Sequence, residues 1–201
     1  MASEGDSLQR VVAAARELFF SRGFERVSTA DLAKGAGVSK ATLYKHFSGM
    51  DAVLRAVVKA EVDGFEHGLC LVINNQIELQ ETLTQYGCNL LSFLNQPDII
   101  RFSQLMFEEA RSNRDLAATF YECAYGRTQA DLASLLQQGL TLGLFESSAS
   151  AGAMAEQLLG LWEGFGFIQA LLGLTMMPFP DPQAISSNGV QTLLYGVTKE
   201  G

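Results

Sequence analysis

The sequence is poor in cysteine and proline, and it contains no stretch in which polar and apolar residues alternate. Its 201 residues include three cysteines, Cys70, Cys88 and Cys123, and four prolines. Three widely spaced cysteines support neither a disulfide framework nor a paired metal-binding knuckle. Strands leave an alternating pattern, whereas the apolar residues here recur at spacings of three and four, which predicts helices. The sequence therefore predicts an all-α protein with reduced thiols.

The chain also lacks the marks of export and of membrane insertion. Its first ten residues, MASEGDSLQR, have no basic segment leading into an apolar run, so no secretory signal is predicted. Residues 158 to 177 are apolar enough to suggest a spanning helix, but they contain Glu163 and Gln169. A charged residue at mid-membrane is costly, so this segment is better interpreted as a buried helix. We expect a cytoplasmic protein without a membrane partner.

Positive charge is scarce overall but unevenly distributed. The formal net charge is -8, yet residues 1–60 contain nine Lys and Arg against six Asp and Glu, and the rest of the chain therefore carries -11. A basic segment attached to an acidic body is typical of a module that binds a polyanion, joined to a body with another task. The charge pattern favours nucleic acid as a partner of the N-terminal segment.

Helical periodicity, capping residues and breakers predict about nine helices. Their predicted bounds are 7–22, 29–35, 40–47, 51–73, 76–94, 97–112, 115–140, 150–175 and 183–197. The breaks between them fall at glycines and at the cluster of three prolines within residues 177–182. No internal repeat appears, which excludes a solenoid.

Residues 28–47, STADLAKGAGVSKATLYKHF, have the pattern of a helix-turn-helix. Ser28 and Asp31 form a predicted capping box at the start of one helix. Gly37 supplies a turn residue that tolerates positive φ, and Ser39 is the predicted N-cap of the next helix. Packing of the two helices leaves the start of the second one facing outward, where base edges of DNA are read.

The outward residues have side chains suited to DNA. Lysines neutralise phosphates, and hydroxyl groups fix the register on the backbone. The candidate DNA-binding residues are Ser28, Thr29, Ser39, Lys40, Ala41, Thr42, Tyr44, Lys45 and His46.

The run from Ala36 to Phe47 resembles the head of the TetR-type bacterial transcription regulators, and the resemblance extends over residues 8–60. Two positions depart from the family pattern. Ala41 stands where glycine is usual, and Met50 stands where a lysine usually opens the fourth helix. The resemblance implies a helix-turn-helix DNA-binding domain at 1–48 and a helical effector-binding and dimerisation domain at 49–201.

Residues 97–174 more loosely resemble the AefR-like C-terminal domain of part of that family. The match is carried by Arg101-Phe102, Glu108-Glu109-Ala110-x-Ser112 and Leu116-Ala117-x-x-Phe120-Tyr121. It implies a body that binds a small ligand and dimerises through its last two long helices. Gly160, Gly164 and Gly166 permit close helix approach in this apolar segment, and the predicted dimer contact consists of Gly160, Gly164 and Phe167.

Large adaptable side chains in the body suit a pocket for a hydrophobic or aromatic effector. The candidates that would line it are Phe93, Phe102, Met106, Phe120, Tyr121 and Trp162, and the polar candidates for orienting the ligand are Arg101, Gln104, Glu108, Arg127 and Glu163. Each of these aromatic residues could equally be ordinary core.

Signals for catalysis are weak. The segment Gly37–Ala41 lacks the second glycine and the strand of a nucleophile elbow, Gly164-x-Gly166 lacks the third glycine of a dinucleotide site, and Asp63 with His67 makes only two metal ligands. We therefore expect no enzyme, no cofactor and no metal site.

The sequence favours a homodimeric repressor that binds palindromic double-stranded operator DNA and is released by a small effector. Two-fold symmetry would place its recognition helices about 34 Å apart in successive major grooves. An alternative is a helical interaction module of the same fold that has lost operator binding, which Met50 slightly supports.

Overall fold

The computed structural model describes residues 4–63 and 72–196, and this part of the chain contains helices and no strand. The all-α prediction is confirmed. The helices are α1 Glu4–Arg22, α2 Thr29–Gly35, α3 Lys40–His46, α4 Met50–Asp63, α5 Gln76–Leu94, α6 Pro97–Glu109, α7 Arg114–Tyr121, α8 Arg127–Thr141, α9 Ala151–Glu163, α10 Gly166–Leu171 and α11 Pro182–Tyr195. A 3-10 turn spans Phe24–Arg26, and a π-helical turn spans Glu122–Gly126.

The described residues pack as two compact units. We call residues 4–63 and 101–124 the N-terminal unit, and residues 72–100 and 125–196 the C-terminal unit. This division concerns packing, and the predicted domain boundary near residue 48 stays a prediction.

The N-terminal unit is built around helix α1, which packs against α2, α3 and α4. Apolar residues of α1 recur at helical spacing, and Val11, Ala15 and Phe19 of this stripe are fully buried. Leu32 of α2 and Leu43 of α3 close the same core. The helix-turn-helix therefore shares one core with α1.

The C-terminal unit is organised around Trp162, whose side chain is 1% exposed. Its indole N–H donates to the Ser186 carbonyl at 3.1 Å, and its ring stacks on Tyr86 with centroids 6.5 Å apart. Helices α5 and α11 approach it through glycines, because a Cβ on Gly87 or on Gly189 would lie 2.6 Å from an indole carbon. Both positions require a residue without a side chain.

The predicted helix over 115–140 is interrupted. Helix α7 ends at Tyr121, five residues form the π-helical turn, and α8 begins at Arg127. Single π turns inside helices insert one extra residue and leave no mark in the apolar periodicity, so the sequence did not reveal this one.

The predicted helix over 150–175 is also wrong as a single element. Helix α9 ends at Glu163 because Gly164 adopts a φ of +46°, and α10 begins at Gly166. A glycine with positive φ ends a helix, and the rest of this apolar segment then forms a separate helix. The described residues thus form more helices than the nine predicted.

The ends of two helices differ from the predicted bounds, and some predicted residues lie outside the described part of the chain. The fourth helix was predicted to reach Ile73, but Val72 and Ile73 are not helical and residues 64–71 lie outside the described part. Cys70 and His67 fall in that gap, so the Asp63–His67 pair cannot be placed. Helix α6 ends at Glu109, short of the predicted residue 112. Within residues 4–63 and 72–196, no helix has both the length and the apolarity to cross a membrane.

Candidate nucleic-acid interface

The start of α2 is fixed by the predicted capping box. The Ser28 Oγ accepts from the Asp31 backbone N–H at 3.1 Å, and the Asp31 carboxylate accepts from the Ser28 backbone N–H at 3.0 Å. The hydrogen bonds from the Ser28 side chain and backbone, in that order, hold the pKa of Asp31 below its usual value. The box satisfies two backbone donors that a helix start leaves open.

The turn between α2 and α3 has the geometry that the sequence predicts. Gly37 adopts a φ of +62°, and the Val38 N–H donates to the Ala33 carbonyl at 3.0 Å. The Ser39 Oγ then accepts from the Thr42 N–H at 3.0 Å and lies 2.8 Å from the Thr42 hydroxyl. Helix α3 therefore begins at a fixed angle and with its first backbone donors partly satisfied.

Helix α3 buries one side and exposes the other. Leu43 is 2% exposed and packs inward, while Lys40, Ala41 and Lys45 are exposed. Tyr44 is 56% exposed although it is a large aromatic residue. The exposed face thus presents two cations, a phenol and a small residue, a combination that suits a phosphate backbone and base edges.

Other predicted DNA-binding residues have partners inside the protein. The His46 Nε2 lies 2.9 Å from the Ser7 Oγ, and His46 is only partly exposed. Thr29 is also partly buried, and it lines a narrow crevice together with Tyr44 and Met50. Met50, the departure from the family pattern, packs against the core of the N-terminal unit. Its side chain serves packing where a lysine would serve phosphate contact.

Two features that support this surface left no sequence signal. The Arg10 guanidinium lies 3.6 Å from the point where a Cβ of Gly37 would be, beside the helix-turn-helix turn. Arg16 forms a two-pronged ion pair with Glu61, at 2.5 Å and 3.3 Å, which ties α1 to α4. Both depend on tertiary proximity between positions distant in sequence, and spacing along the chain cannot reveal such pairs.

The six residues predicted to line an effector pocket are divided between the two units. In the N-terminal unit, Phe102 and Met106 are buried, and Phe102 meets Phe120 edge-on at 5.8 Å. Tyr121 is 60% exposed. Phe93 and Trp162 belong to the core of the C-terminal unit. The structure therefore places most of these side chains in packed cores.

The C-terminal unit contains two largely buried ionisable side chains, those of Glu163 and Tyr125. Burial raises the pKa of Glu163 to about 7. Burial and the nearby Glu163 charge raise the pKa of Tyr125. A carboxyl whose ionised form is this disfavoured is a candidate for binding or sensing. The single acid in an apolar segment of the sequence already pointed to Glu163, whereas Tyr125 gave no signal.

The three residues assigned to a dimer contact have different environments. Gly160 is exposed in α9 and borders a shallow groove with Gln157, Leu161 and Thr192. Gly164 terminates α9. Phe167 is 3% exposed and stacks on a ring of its own unit, that of Phe179. Gly160 and Gly164 are both exposed, as an interface requires, whereas Phe167 is buried within its own unit.

A capped helix-turn-helix that presents a basic, aromatic face on its second helix defines the class of helix-turn-helix DNA-binding proteins. Residues 11–57 match the family model for bacterial regulatory proteins of the tetR family, and residues 81–194 match the model for the C-terminal domain of AefR-like transcriptional repressors. The chain therefore belongs to the TetR family of bacterial transcriptional regulators. Both resemblances seen in the sequence are confirmed.

Individual relatives agree with this assignment. The HTH-type transcriptional regulator YdgC of Bacillus subtilis (strain 168) is 24% identical over 208 residues, covering 100% of this chain and 98% of the relative. The solved structure of the flavonoid-responsive regulator FrrA is 26% identical, with a TM-score of 0.76 and coverage of 94% of this chain and 93% of FrrA.

A third relative shares the fold. The Bacillus subtilis transcriptional regulator FadR, solved in complex with stearoyl-CoA, has a TM-score of 0.70 at 19% identity, with coverage of 94% of this chain and 99% of FadR. The chain is thus similar to these regulators over nearly its whole length.

Proposed function

We propose that this regulator binds palindromic operator DNA as a homodimer, represses transcription, and is released by a small hydrophobic or aromatic effector. The observation that carries the proposal is the Ser39-capped helix α3, whose exposed face holds Lys40, Tyr44 and Lys45. Helix N-termini and exposed lysines bind phosphates, and the outward side chains of such a helix can reach base edges.

Operator binding is tested by selecting duplexes from a random 30-base-pair pool and measuring their affinity by electrophoretic mobility shift. We expect an inverted repeat whose half-sites lie about one helical turn apart, with affinity falling steeply as salt rises. Lys40→Ala should weaken all duplexes alike and lower the salt slope by about 1, because it removes one phosphate contact.

Lys59→Ala, which removes an exposed lysine of α4, is the matched control and should leave affinity and slope unchanged. Failure to enrich any sequence, together with salt-independent binding, would favour the alternative of an interaction module that has lost operator binding.

Dimerisation is supported by an apolar surface in the C-terminal unit. Leu161 of α9, Phe165 at the break, Ile168 of α10 and Leu172 at the C-terminal end of α10 are each at least 43% exposed. Several exposed large apolar residues in one short segment are typical of protein interfaces. The proposed occupant is the same surface of a second copy, since a two-fold contact is self-complementary.

Two glycines of α9 provide a matched test of the dimer. A Cβ on Gly160 or on Gly152 meets no atom of its own chain within 4 Å, so both should tolerate arginine in the monomer. Gly160→Arg should sediment as a monomer, because it places an unpaired charge in the interface, whereas Gly152→Arg should remain a dimer. If Gly160→Arg also sediments as a dimer, this surface is not the contact.

The effector class is proposed from the composition of the body and from relatives. FrrA is named as flavonoid-responsive, and FadR was solved with stearoyl-CoA; both ligands have large apolar parts. The proposed lining is the part of the predicted set that lies within the N-terminal unit, namely Phe102, Met106, Phe120 and Tyr121. A hundredfold loss of operator affinity needs about 2.7 kcal/mol of preference for the DNA-free state, within reach of an aromatic contact and a hydrogen bond.

Flavonoids and long-chain acyl-CoAs should be screened by thermal shift and then by release of the selected duplex. Tyr121→Ala should weaken an effector that uses the proposed lining, and because Tyr121 is 60% exposed the change should cost little stability. Phe107→Ala removes another exposed aromatic residue, outside the lining, and should have no effect. The proposed pocket would be contradicted if no compound released the duplex, or if Tyr121→Ala and Phe107→Ala changed effector binding equally.

A further inference from the structure

The N-terminal unit contains a cavity that the functions above do not use. It has a volume of about 470 Å³ and lies between the end of α1, the 3-10 turn and the end of α6. Three acidic residues, Glu25, Glu108 and Glu109, line it together with the aromatic residue Phe24. A volume of this size accommodates a small organic molecule.

Glu109 is the unusual group of this cavity. The residue is 9% exposed. Its backbone carbonyl accepts from Ser112, but its carboxylate forms no hydrogen bond or ion pair with another described residue. Burial raises its pKa, and the negative charges of Glu25, Glu108 and Asp51 raise it further. Glu109 is also the last residue of α6, where the helix dipole disfavours negative charge. Burial, the three neighbouring acids and the helix end thus all disfavour the carboxylate.

Two arginines border the same cavity without neutralising it. Arg22 and Arg26 are exposed, and neither lies within ion-pair distance of a carboxylate in the part of the chain that the structure describes. The charge of Arg22 instead contributes to lowering the pKa of Asp31, on α2. The cavity therefore offers a buried carboxylate that no side chain of the unit pairs.

Phe24 gives the cavity a second means of recognition. Its ring meets Phe19 edge-on, with centroids 5.2 Å apart, and the buried Phe19 holds it in place. A fixed aromatic ring attracts a cation over its face and packs against an apolar stem. Among the described residues, no group of three or more His, Cys, Asp or Glu side chains is arranged to hold a metal ion.

We propose that this cavity binds a small primary ammonium compound with an apolar or aromatic stem, with Glu109 as its counter-ion and Phe24 against its stem. A bound ammonium would offset the burial, the neighbouring acids and the helix dipole together. The site is separate from the predicted DNA-binding face and from the proposed effector lining. It does not depend on operator binding.

The test uses the full chain and one pair of matched probes, 2-phenylethylamine and 2-phenylethanol, at equal ionic strength. The amine should bind in calorimetry and raise the melting temperature, because a ligand that binds only the folded state stabilises it. The alcohol has the same shape without the charge and should not bind. Amine affinity should increase with pH through the range in which Glu109 ionises.

Three variants identify the groups responsible. Glu109→Gln should fold with unchanged helicity and lose at least tenfold in amine affinity. Phe24→Leu should lose less, because it keeps the apolar contact but not the aromatic face. Glu17→Gln, an exposed acid of α1 outside the cavity, should bind like the parent protein.

Several outcomes would overturn the proposal. One is that Glu109→Gln binds the amine as tightly as the parent chain does. Another is that the alcohol binds as tightly as the amine. A third is that Mg²⁺ or Ca²⁺ stabilises the protein and the amine does not. Affinity for the selected duplex, measured without amine, keeps the two proposals apart. Intact DNA binding without amine binding removes only this inference, and amine binding without DNA binding removes only operator recognition.

Discussion

The two units keep their helices in place by different means. In the N-terminal unit, α2 and α3 have seven residues each, too short to be stable alone, and each starts at a serine cap over a shared apolar core. In the C-terminal unit, α5 has 19 residues and α11 has 14, and they meet around Trp162 through Gly87 and Gly189. Short capped helices keep polar side chains exposed, where DNA can contact them. Close packing around Trp162 instead buries the facing sides of the helices.

The largest effect should come from Gly87→Ala in the C-terminal unit. The added methyl group would lie 2.6 Å from two indole carbons of Trp162 and 2.8 Å from the Ser186 Oγ, and neither neighbour has room to move. Overpacking of this kind costs about 3 kcal/mol of unfolding free energy, measurable by urea denaturation with circular dichroism.

Gly152→Ala is the control, because a Cβ there meets nothing within 4 Å. Alanine in a helix should leave stability unchanged or increase it by about 0.5–1 kcal/mol. If both alanines had the same effect, the close-packed description of the C-terminal unit would be wrong.

The second effect depends on pH and also belongs to the C-terminal unit. Since the pKa of Glu163 rises from 4.5 to about 7 on folding, the folded state holds a proton that the unfolded state has lost between those values. Stability should therefore decrease as pH rises from 4.5 to 7. Glu163→Gln should be about 1–3 kcal/mol more stable than the parent at pH 8 and nearly equal to it at pH 4.

Chemical denaturation at both pH values measures this difference. Glu156→Gln removes an exposed acid from the same helix and should show no such pH dependence. Equal pH profiles for the parent and Glu163→Gln would mean that the carboxyl is not disfavoured by burial.

In the N-terminal unit, loss of a cap should matter more for binding than for folding. Ser39→Ala removes the acceptor of the Thr42 N–H and should cost about 1 kcal/mol of stability. Because the same serine fixes the start of α3, operator affinity should also fall. Ser48→Ala, at an exposed position outside the helices, is the control for both the unfolding and the mobility-shift measurements.

The smallest effect is expected for the ion pair between α1 and α4. The Arg16 and Glu61 side chains are 35% and 10% exposed, so their attraction is partly screened. A double-mutant cycle with Arg16→Gln and Glu61→Gln should give a coupling of about 0.5–1 kcal/mol that decreases with salt. A coupling of several kcal/mol would show that charge, and not capping, holds this unit together.

The sequence was most informative where the signals are local. Ser28, Asp31, Gly37 and Ser39 act on neighbours within three or four residues, so the helix-turn-helix could be predicted nearly to its bounds. Which glycine of a rich segment stops a helix depends on tertiary packing, and Gly164 was therefore mistaken for a helical residue.

The candidate sites show the same limit. The outward face of α3 follows from helical spacing, but the contacts of His46 with Ser7 and of Arg10 with the turn join distant positions. The acidic cavity beside Glu109 likewise brings α6 against the end of α1 and the turn after it. The individual DNA-binding, effector and dimer residues stay predictions.

Trp162 is the only tryptophan of the chain, and its burial between two glycines makes it an optical reporter. An indole that is 1% exposed and hydrogen-bonded to a carbonyl should emit at short wavelength and resist quenching by acrylamide. The N-terminal unit contains no tryptophan, so a red shift in emission would report the opening of the C-terminal unit alone. Unfolding of one unit before the other could then be timed without any attached dye.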